Sequence, residues 1–245
     1  MRPSVFPFVA AFPALLSLAP LAPGAVVTLN PVADAFVTSA QPASNFGGGG
    51  ALAISAPGLS AGELQSVLRF DTSSAFSSFN STYGAGQWTI QSVTLQLTAA
   101  APNNPVFNAQ AAGQFIASWM QNNTWVEGSG TPQSPTTTGI TFTTLPSFEG
   151  SSDETLGTFS FGGATSGASV YSLALTTGFL SDVSSGGLAS LRLYASGSTV
   201  SYVFNSRSFT TVANRPVLTI TAVPSPAGIA MLTLAGFVTA SRRQR

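Results

Sequence analysis

Eight carboxylates are the chemically capable side chains of this 245-residue chain: Asp34, Glu63, Asp71, Glu127, Glu149, Asp153, Glu154 and Asp182. Histidine, cysteine and lysine are absent. Their absence removes Ser-His and Cys-His nucleophile pairs, thiolate metal sites, and the commonest general base and zinc ligand. Glycoside cleavage by acids alone needs two carboxyls facing each other about 5 to 9.5 Å apart, and no spacing in the sequence pairs any two of the eight. Asp153 and Glu154 sit in a Ser151-Ser-Asp-Glu154 run that reads as a solvated turn. The residues favour a noncatalytic protein, with a carbohydrate-active enzyme, either a glycosidase or a tyrosine-based lyase, as a competing reading.

Aromatic and amide side chains suit binding better. Sugar rings present C–H faces that pack on Trp or Tyr, while their hydroxyls pair with Asn, Gln, Asp and Arg. The run Trp119-Met-Gln-Asn-Asn-Thr-Trp125-Val-Glu127 has that composition and nominates Trp119, Asn122, Asn123, Trp125 and Glu127 as contacts. A tryptophan near a strand end serves equally to seal a core. Phe115, Ala117 and Trp119 alternate as one face expected to be buried, so Trp125 is the stronger contact residue, and Trp88 with Tyr83 forms a second candidate pair. Arg192 and Arg207 would grip an acidic sugar if they share a sheet face with Tyr194 or Tyr202; otherwise each pairs with an acid on the neighbouring strand. The Gly47-Gly-Gly-Gly50 run reads as a hairpin turn, because no Gly-Lys-Ser/Thr follows it to make a phosphate cradle.

These side chains need a scaffold, and short alternating stretches supply it. No helical period is sustained; period-two stretches are separated by clusters of Gly, Pro, Asn and Ser. Strands are expected at 26–29, 35–38, 51–55, 64–70, 89–98, 113–120, 140–144, 156–161, 169–175, 189–195, 200–205 and 216–221. In Ser92-Val-Thr-Leu-Gln-Leu-Thr98, the side chains of Val93, Leu95 and Leu97 face inward and those of Thr94, Gln96 and Thr98 outward. The fold expected is all-β, a jelly-roll-like antiparallel β-sandwich with short helical turns at 73–79 and 177–183 and no internal repeat. Within 26–222 four arginines (Arg69, Arg192, Arg207, Arg215) face the eight acids, a net charge of −4. Nucleic acid, whose binders need clustered Lys and Arg, is excluded as a partner.

Both termini read as targeting segments. Arg2 precedes an apolar run from Val5 to Leu21, broken by Pro7, Pro13 and Pro20 and followed by Ala22, Gly24 and Ala25. Residues 1–25 read as a secretory signal peptide, cleaved after Gly24 or Ala25. Residues 223–245 open on a Val223-Pro224-Ser225-Pro226 turn, run uncharged from Ala227 to Ala240 and close on Arg242, Arg243 and Arg245. As a helix the apolar run would rise about 21 Å, short of the roughly 30 Å of bilayer hydrocarbon. The layout resembles the C-terminal sorting signal of PEP-CTERM proteins, with Ser225 where glutamate is usual. That resemblance implies an exosortase-type processing enzyme, membrane anchorage, and an exported protein of the bacterial cell surface or extracellular matrix.

A second resemblance covers 26–222. Asp34-Ala-Phe-Val37, Pro42-Ala-Ser-Asn-Phe-Gly-Gly48, Leu52-Ala-Ile54, Val67-Leu-Arg-Phe-Asp71 and Ile90-Gln-Ser-Val-Thr-Leu-Gln-Leu97 follow one another in the order of the DNRLRE domains. The similarity continues through Trp119, Trp125 to Glu127 and Asn214-Arg-Pro-Val-Leu-Thr-Ile220. Those domains, related to disaggregatase repeats, are extracellular β-sandwiches, some of them classed as carbohydrate-binding modules for acidic polysaccharide. The resemblance implies an extracellular polysaccharide partner. It also places Asp34 and Asp71 near each other at strand ends, where hard oxygen donors would suit a structural calcium ion. The alternative from another class is a structural surface or matrix component without a defined ligand.

Overall fold

The computed structural model describes residues 24–100, 112–163 and 166–226. The expected signal peptide up to residue 23, the apolar tail and Arg242, Arg243 and Arg245 lie outside the described residues, while Ala25, placed at the end of that peptide, is paired with Ala222. Eleven strands are present among them: β1 Ala25–Leu29, β2 Ala33–Thr38, β3 Ala51–Ser55, β4 Leu64–Asp71, β5 Trp88–Thr98, β6 Gly113–Met120, β7 Glu154–Phe161, β8 Ala168–Leu173, β9 Leu188–Ala195, β10 Ser201–Asn205 and β11 Val217–Pro224. Two helices join them, α1 Ser73–Tyr83 and α2 Thr177–Ser185. All strand pairs are antiparallel. They make a small sheet of order β1-β11-β5-β8 and a large sheet of order β10-β3-β4-β9-β6-β7, with β2 also paired to β4. The expected all-β sandwich is therefore present.

The main core lies where the two sheets face each other. Leu68 and Phe70 of β4, Phe115 and Ala117 of β6, and Leu191 and Leu193 of β9 meet Val93, Leu95 and Leu97 of β5, Tyr171 and Leu173 of β8, and Leu218 and Ile220 of β11. Each large apolar side chain removed from water contributes about 1.5 to 3 kcal/mol. One end is sealed by Ala75 and Phe79 of α1 and Phe179 and Val183 of α2. Strand alternation in β5 holds at Val93, Leu95 and Leu97, but Thr98, expected outside, is buried near the strand end.

Strands β2, β3 and most of β4 are buried on both faces. Over β3 the second cover is Phe36 and Phe46, which pack with Ala51 and Ala53; over β2 and β4 it is a long connection, residues 121–153, folded over the outer face of the large sheet. Its Trp125, Ile140 and Leu145 pack on Ala33, Ala35, Val37, Val67 and Met120 as a second core. The strand expected at 140–144 is not formed. Thr141 and Thr144 instead exchange side-chain-to-backbone hydrogen bonds in both directions, which closes a turn leading into a single 3₁₀ turn at Leu145–Ser147. The Gly47–Gly50 run is likewise no hairpin, because β2 pairs with β4 while β3 pairs with β10. At the other end, β11 continues through Val223 and Pro224, which lie opposite Thr89 and Trp88. The turn expected to begin at Val223 is not formed there, and Ser225 carries the pairing one step further, its N–H donating to the Gln87 carbonyl.

Candidate functional site

Asn45 fastens the 121–153 segment in place. Its side-chain amide donates to the carbonyls of Glu127 and Ile140, both at 2.7 Å, and its Oδ1 accepts from the N–H groups of Gly47 and Gly130. Fully buried, it has all four side-chain bonding positions filled. The close approach needs glycine: a Cβ on Gly47 would lie 2.0 Å from the Glu127 carbonyl oxygen, and one on Gly130 would lie 1.9 Å from that of Asn45. The Pro42 to Gly48 stretch is thus the anchor for the segment that carries the candidate contacts.

All three tryptophans are buried. Trp125, expected to be an exposed contact, is 1% accessible. Its indole N–H donates to Ser190 Oγ at 2.9 Å, and the Arg69 guanidinium lies 4.7 Å from its ring centre. Arg69 in turn donates to the carbonyls of Asn123 and Trp125. Trp125 is drawn in because its segment crosses the sheet and needs an apolar anchor. Trp119, on the Phe115-Ala117-Trp119 face expected to be buried, is buried; its N–H donates to Asp182 at 2.8 Å, and Gly178 packs against its ring. Burial raises the Asp182 carboxyl above the usual range, partly offset by the Trp119 hydrogen bond. Trp88 donates to Asn80, while Tyr83 takes the Ala25 N–H and donates to the Ala222 carbonyl, which ties that second candidate pair into the sandwich.

The accessible candidate residues gather on the outer face of the large sheet. Arg192 projects outward between the buried Leu191 and Leu193, its guanidinium 4.4 Å from the Tyr194 ring centre. Its Nε donates to Gln65 at 2.7 Å, and its NH1 pairs with Glu149 at 2.8 Å. Gln65 also donates to Glu63. Beside Glu149 opens a depression of about 350 Å³, lined by Gln121, Asn122, Phe148, Glu149, Gly150 and Asp153. Asp153 accepts from the Gln121 and Gly150 N–H groups, which pins both rims. Asn122 uses only its Oδ1, on Thr124; among the described residues nothing takes the amide N–H₂ of Asn122 or Gln121. The half-buried Phe148 supplies an apolar surface. An apolar ring flanked by two unoccupied amides and two carboxylates can hold a polyhydroxylated ring.

Tyr202 does not join this face. It is buried in the main core, stacked on Phe161 at 3.8 Å between ring centres. Arg207 belongs to another cluster. Its guanidinium forms a two-pronged pair with Glu127, and its backbone N–H donates to Asp34 Oδ2 at 2.6 Å. Glu127 also accepts the Asp34 N–H. Burial lifts the Asp34 carboxyl to about 7, against the lowering effect of the Arg207 N–H. Both Arg192 and Arg207 therefore pair with acids, and both acids come from the 121–153 segment rather than from a neighbouring strand. Asp71 is exposed, and the hydroxyl of Ser73 together with its N–H at the start of α1 holds the Asp71 carboxyl below the usual range. Asp34 and Asp71 thus engage separate partners, and among the described residues no group of three or more acids is gathered as a cation's donor set.

Phe148 and Gln65 carried no signal as contacts, and Gln121 lay unnominated within the amide-rich run from Trp119 to Glu127. Gln65 is the nearest to legible, as a polar residue inside an otherwise apolar strand.

A family model described as carbohydrate-binding module family 96 matches residues 25–222. None of the curated proteins matches the chain. Among solved structures, one titled Desmodium yellow mottle tymovirus is similar at 11% identity and a TM-score of 0.25, covering 92% of this chain and 96% of that one.

Proposed function

The chain belongs to carbohydrate-binding module family 96, and on that premise we propose that its sandwich binds polysaccharide without cleaving it, through the depression at Phe148 and the adjoining Arg192–Tyr194 face. The family match over the whole sandwich is the observation that carries this reading, and the DNRLRE resemblance agrees with it. The Phe148 ring offers a stacking surface, and the amides of Gln121 and Asn122 offer donors with no internal partner. The signal-like N-terminus and the Pro-Ser-Pro and arginine tail support an exported protein held at the cell surface or in a matrix, with the membrane and an exosortase-type enzyme as partners of the tail.

A second reading, a carbohydrate-active enzyme, is favoured by one observation: Glu149 and Asp153 line the same depression. Against it, Glu149 is paired with Arg192 and Asp153 holds two backbone N–H groups, so neither is poised to deliver a proton.

Sedimentation of the protein with a panel of insoluble polysaccharides tests the proposal. Wild type is expected to co-sediment with at least one, without releasing reducing sugar, and Phe148→Ala and Asn122→Ala are each expected to weaken retention by about tenfold, or roughly 1.4 kcal/mol. Retention on none would leave the structural component as the better account. Sugar release that Glu149→Gln abolishes would establish the enzyme.

A further inference from the structure

We propose that an apolar groove at the α1 and α2 end of the sandwich is a seat for the chain's own tail, taking the first apolar residues of 227–240 and keeping them from water until a membrane draws them out. The seat stands apart from the polysaccharide reading; the exchange with a membrane rests on the reading of the tail as an anchor. Between α1, α2 and the start of β5 lies a groove of about 360 Å³, walled by Phe76, Ala85, Trp88, Ile90 and Leu180. Phe76, Ile90 and Leu180 are half-buried, and the Phe76 ring meets the Trp88 ring edge-on at 6.0 Å between centres. Asn80, the amide in the wall, already accepts the Trp88 indole N–H. Among the described residues no side chain lining the groove is charged. Such a wall takes aliphatic side chains, which leave water on entering it.

The place where the chain leaves the sandwich names the occupant. On β5, Trp88, Thr89 and Ile90 pair with Pro224, Val223 and Ala222, so the last residues of β11 run beside the groove wall at strand spacing, about 4.8 Å. Ser225 extends that contact through its N–H to the Gln87 carbonyl. Gln87 Oε1 is shut from water and has no hydrogen-bond partner among the described residues. The nitrogen of Pro226 carries no hydrogen, so the next N–H groups along the chain are those of Ala227 and Gly228. From there the run to Ala240 holds Ile229, Met231, Leu232, Leu234, Phe237 and Val238 and no charge. Leu232 follows Pro226 by about 9 Å along a helix or about 20 Å extended, reach enough for a groove that begins beside Trp88. A segment tethered this closely is held at an effective concentration on the order of millimolar, an advantage that a second copy or a free peptide lacks. Ala25 also pairs with Ala222, but β1 lies on the far side of β11 from β5, which makes the N-terminal apolar run the poorer occupant.

Photo-crosslinking in the full chain tests the seat. The photoreactive residue p-benzoylphenylalanine replaces either Ala85, exposed on the rim of the groove, or Gln133, exposed in the 121–153 segment over the other sheet, and the products are mapped by mass spectrometry. The probe at position 85 is expected to crosslink within one chain to residues 227–240, at least about tenfold more than the probe at position 133 and independently of protein concentration. Ile229→Asp with Leu232→Asp, changes outside the sandwich, is expected to abolish that product at unchanged melting temperature. Vesicles of phosphatidylethanolamine and phosphatidylglycerol are expected to reduce it at least about fivefold. A product that joins two chains, a product on residues 1–23, or no product on the tail would overturn the seat. A tail product that survives both aspartates would overturn it as well, since apolar side chains would then not be what the groove holds. A tail product untouched by vesicles would overturn the exchange with a membrane and, with it, the anchor reading on which the exchange rests.

Discussion

Asn45 and Trp125 show how single side chains hold the outer face together. Asn45→Ala removes four hydrogen bonds in a fully buried setting and strands two carbonyls and two N–H groups; it is expected to cost about 3 kcal/mol in urea unfolding. Trp125→Ala leaves a cavity under the 121–153 segment and is expected to cost about 3 to 5 kcal/mol. Loss of binding in that variant would reflect a loosened face, not a lost contact. Asp34 gives a pH signature. Its carboxyl, surrounded by Arg207 and Glu127, titrates near 7 when folded and near 3.9 when unfolded, so the folded state holds the proton more tightly. Its contribution is therefore fully present below about pH 4 and is lost as pH rises through 7, by on the order of 4 kcal/mol. Asp34→Asn, neutral at every pH, should therefore gain stability relative to wild type as pH rises from 4 to 8; a difference independent of pH would remove the assignment. At this scale the sequence was partly legible. The alternation that buried Trp119 was visible, whereas Trp125, whose fate depended on a distant Asn45, was not.

The elements were more legible than the residues. Period-two patterning located every strand of both sheets, because a sandwich strand must keep its inward side chains in register with the pleat. It failed at 140–144, where alternating apolar residues and threonines made a turn closed by hydroxyls, and at Gly47–Gly50, where glycines served close approach to another segment. Strands buried on both faces, β2 and β3, gave no hint of the covering layer, since a continuous apolar run does not say what lies above it. Helix α2 shows a tie that no pattern reveals. Glu154, on β7, accepts from Thr176 Oγ1 and from the N–H groups of Gly178 and Phe179 at the helix start, and the Thr176 bond holds its carboxyl below the usual range. A carboxylate there caps the helix and complements its dipole. Glu154→Ala is expected to cost about 1 to 2 kcal/mol in denaturant unfolding, and an unchanged midpoint would show that α2 needs no such cap.

At the scale of the whole molecule, composition and architecture converge. A sandwich whose family match is to a carbohydrate-binding module offers, on the outer face of its large sheet, amides, one phenylalanine and an arginine beside a tyrosine. With only 7% of its residues charged, its polar groups are mainly hydroxyls and amides, the same groups that pair with sugars. The measurement that tests the account most directly is titration calorimetry of the chain with a soluble polysaccharide that retains it, beside a Phe148→Ala, Asn122→Ala double variant of unchanged melting temperature. The account predicts saturable heat for wild type and at least a hundredfold weaker binding, about 2.7 kcal/mol, for the double variant. Equal affinity in the two proteins would contradict it and move the binding surface away from the outer face of the large sheet.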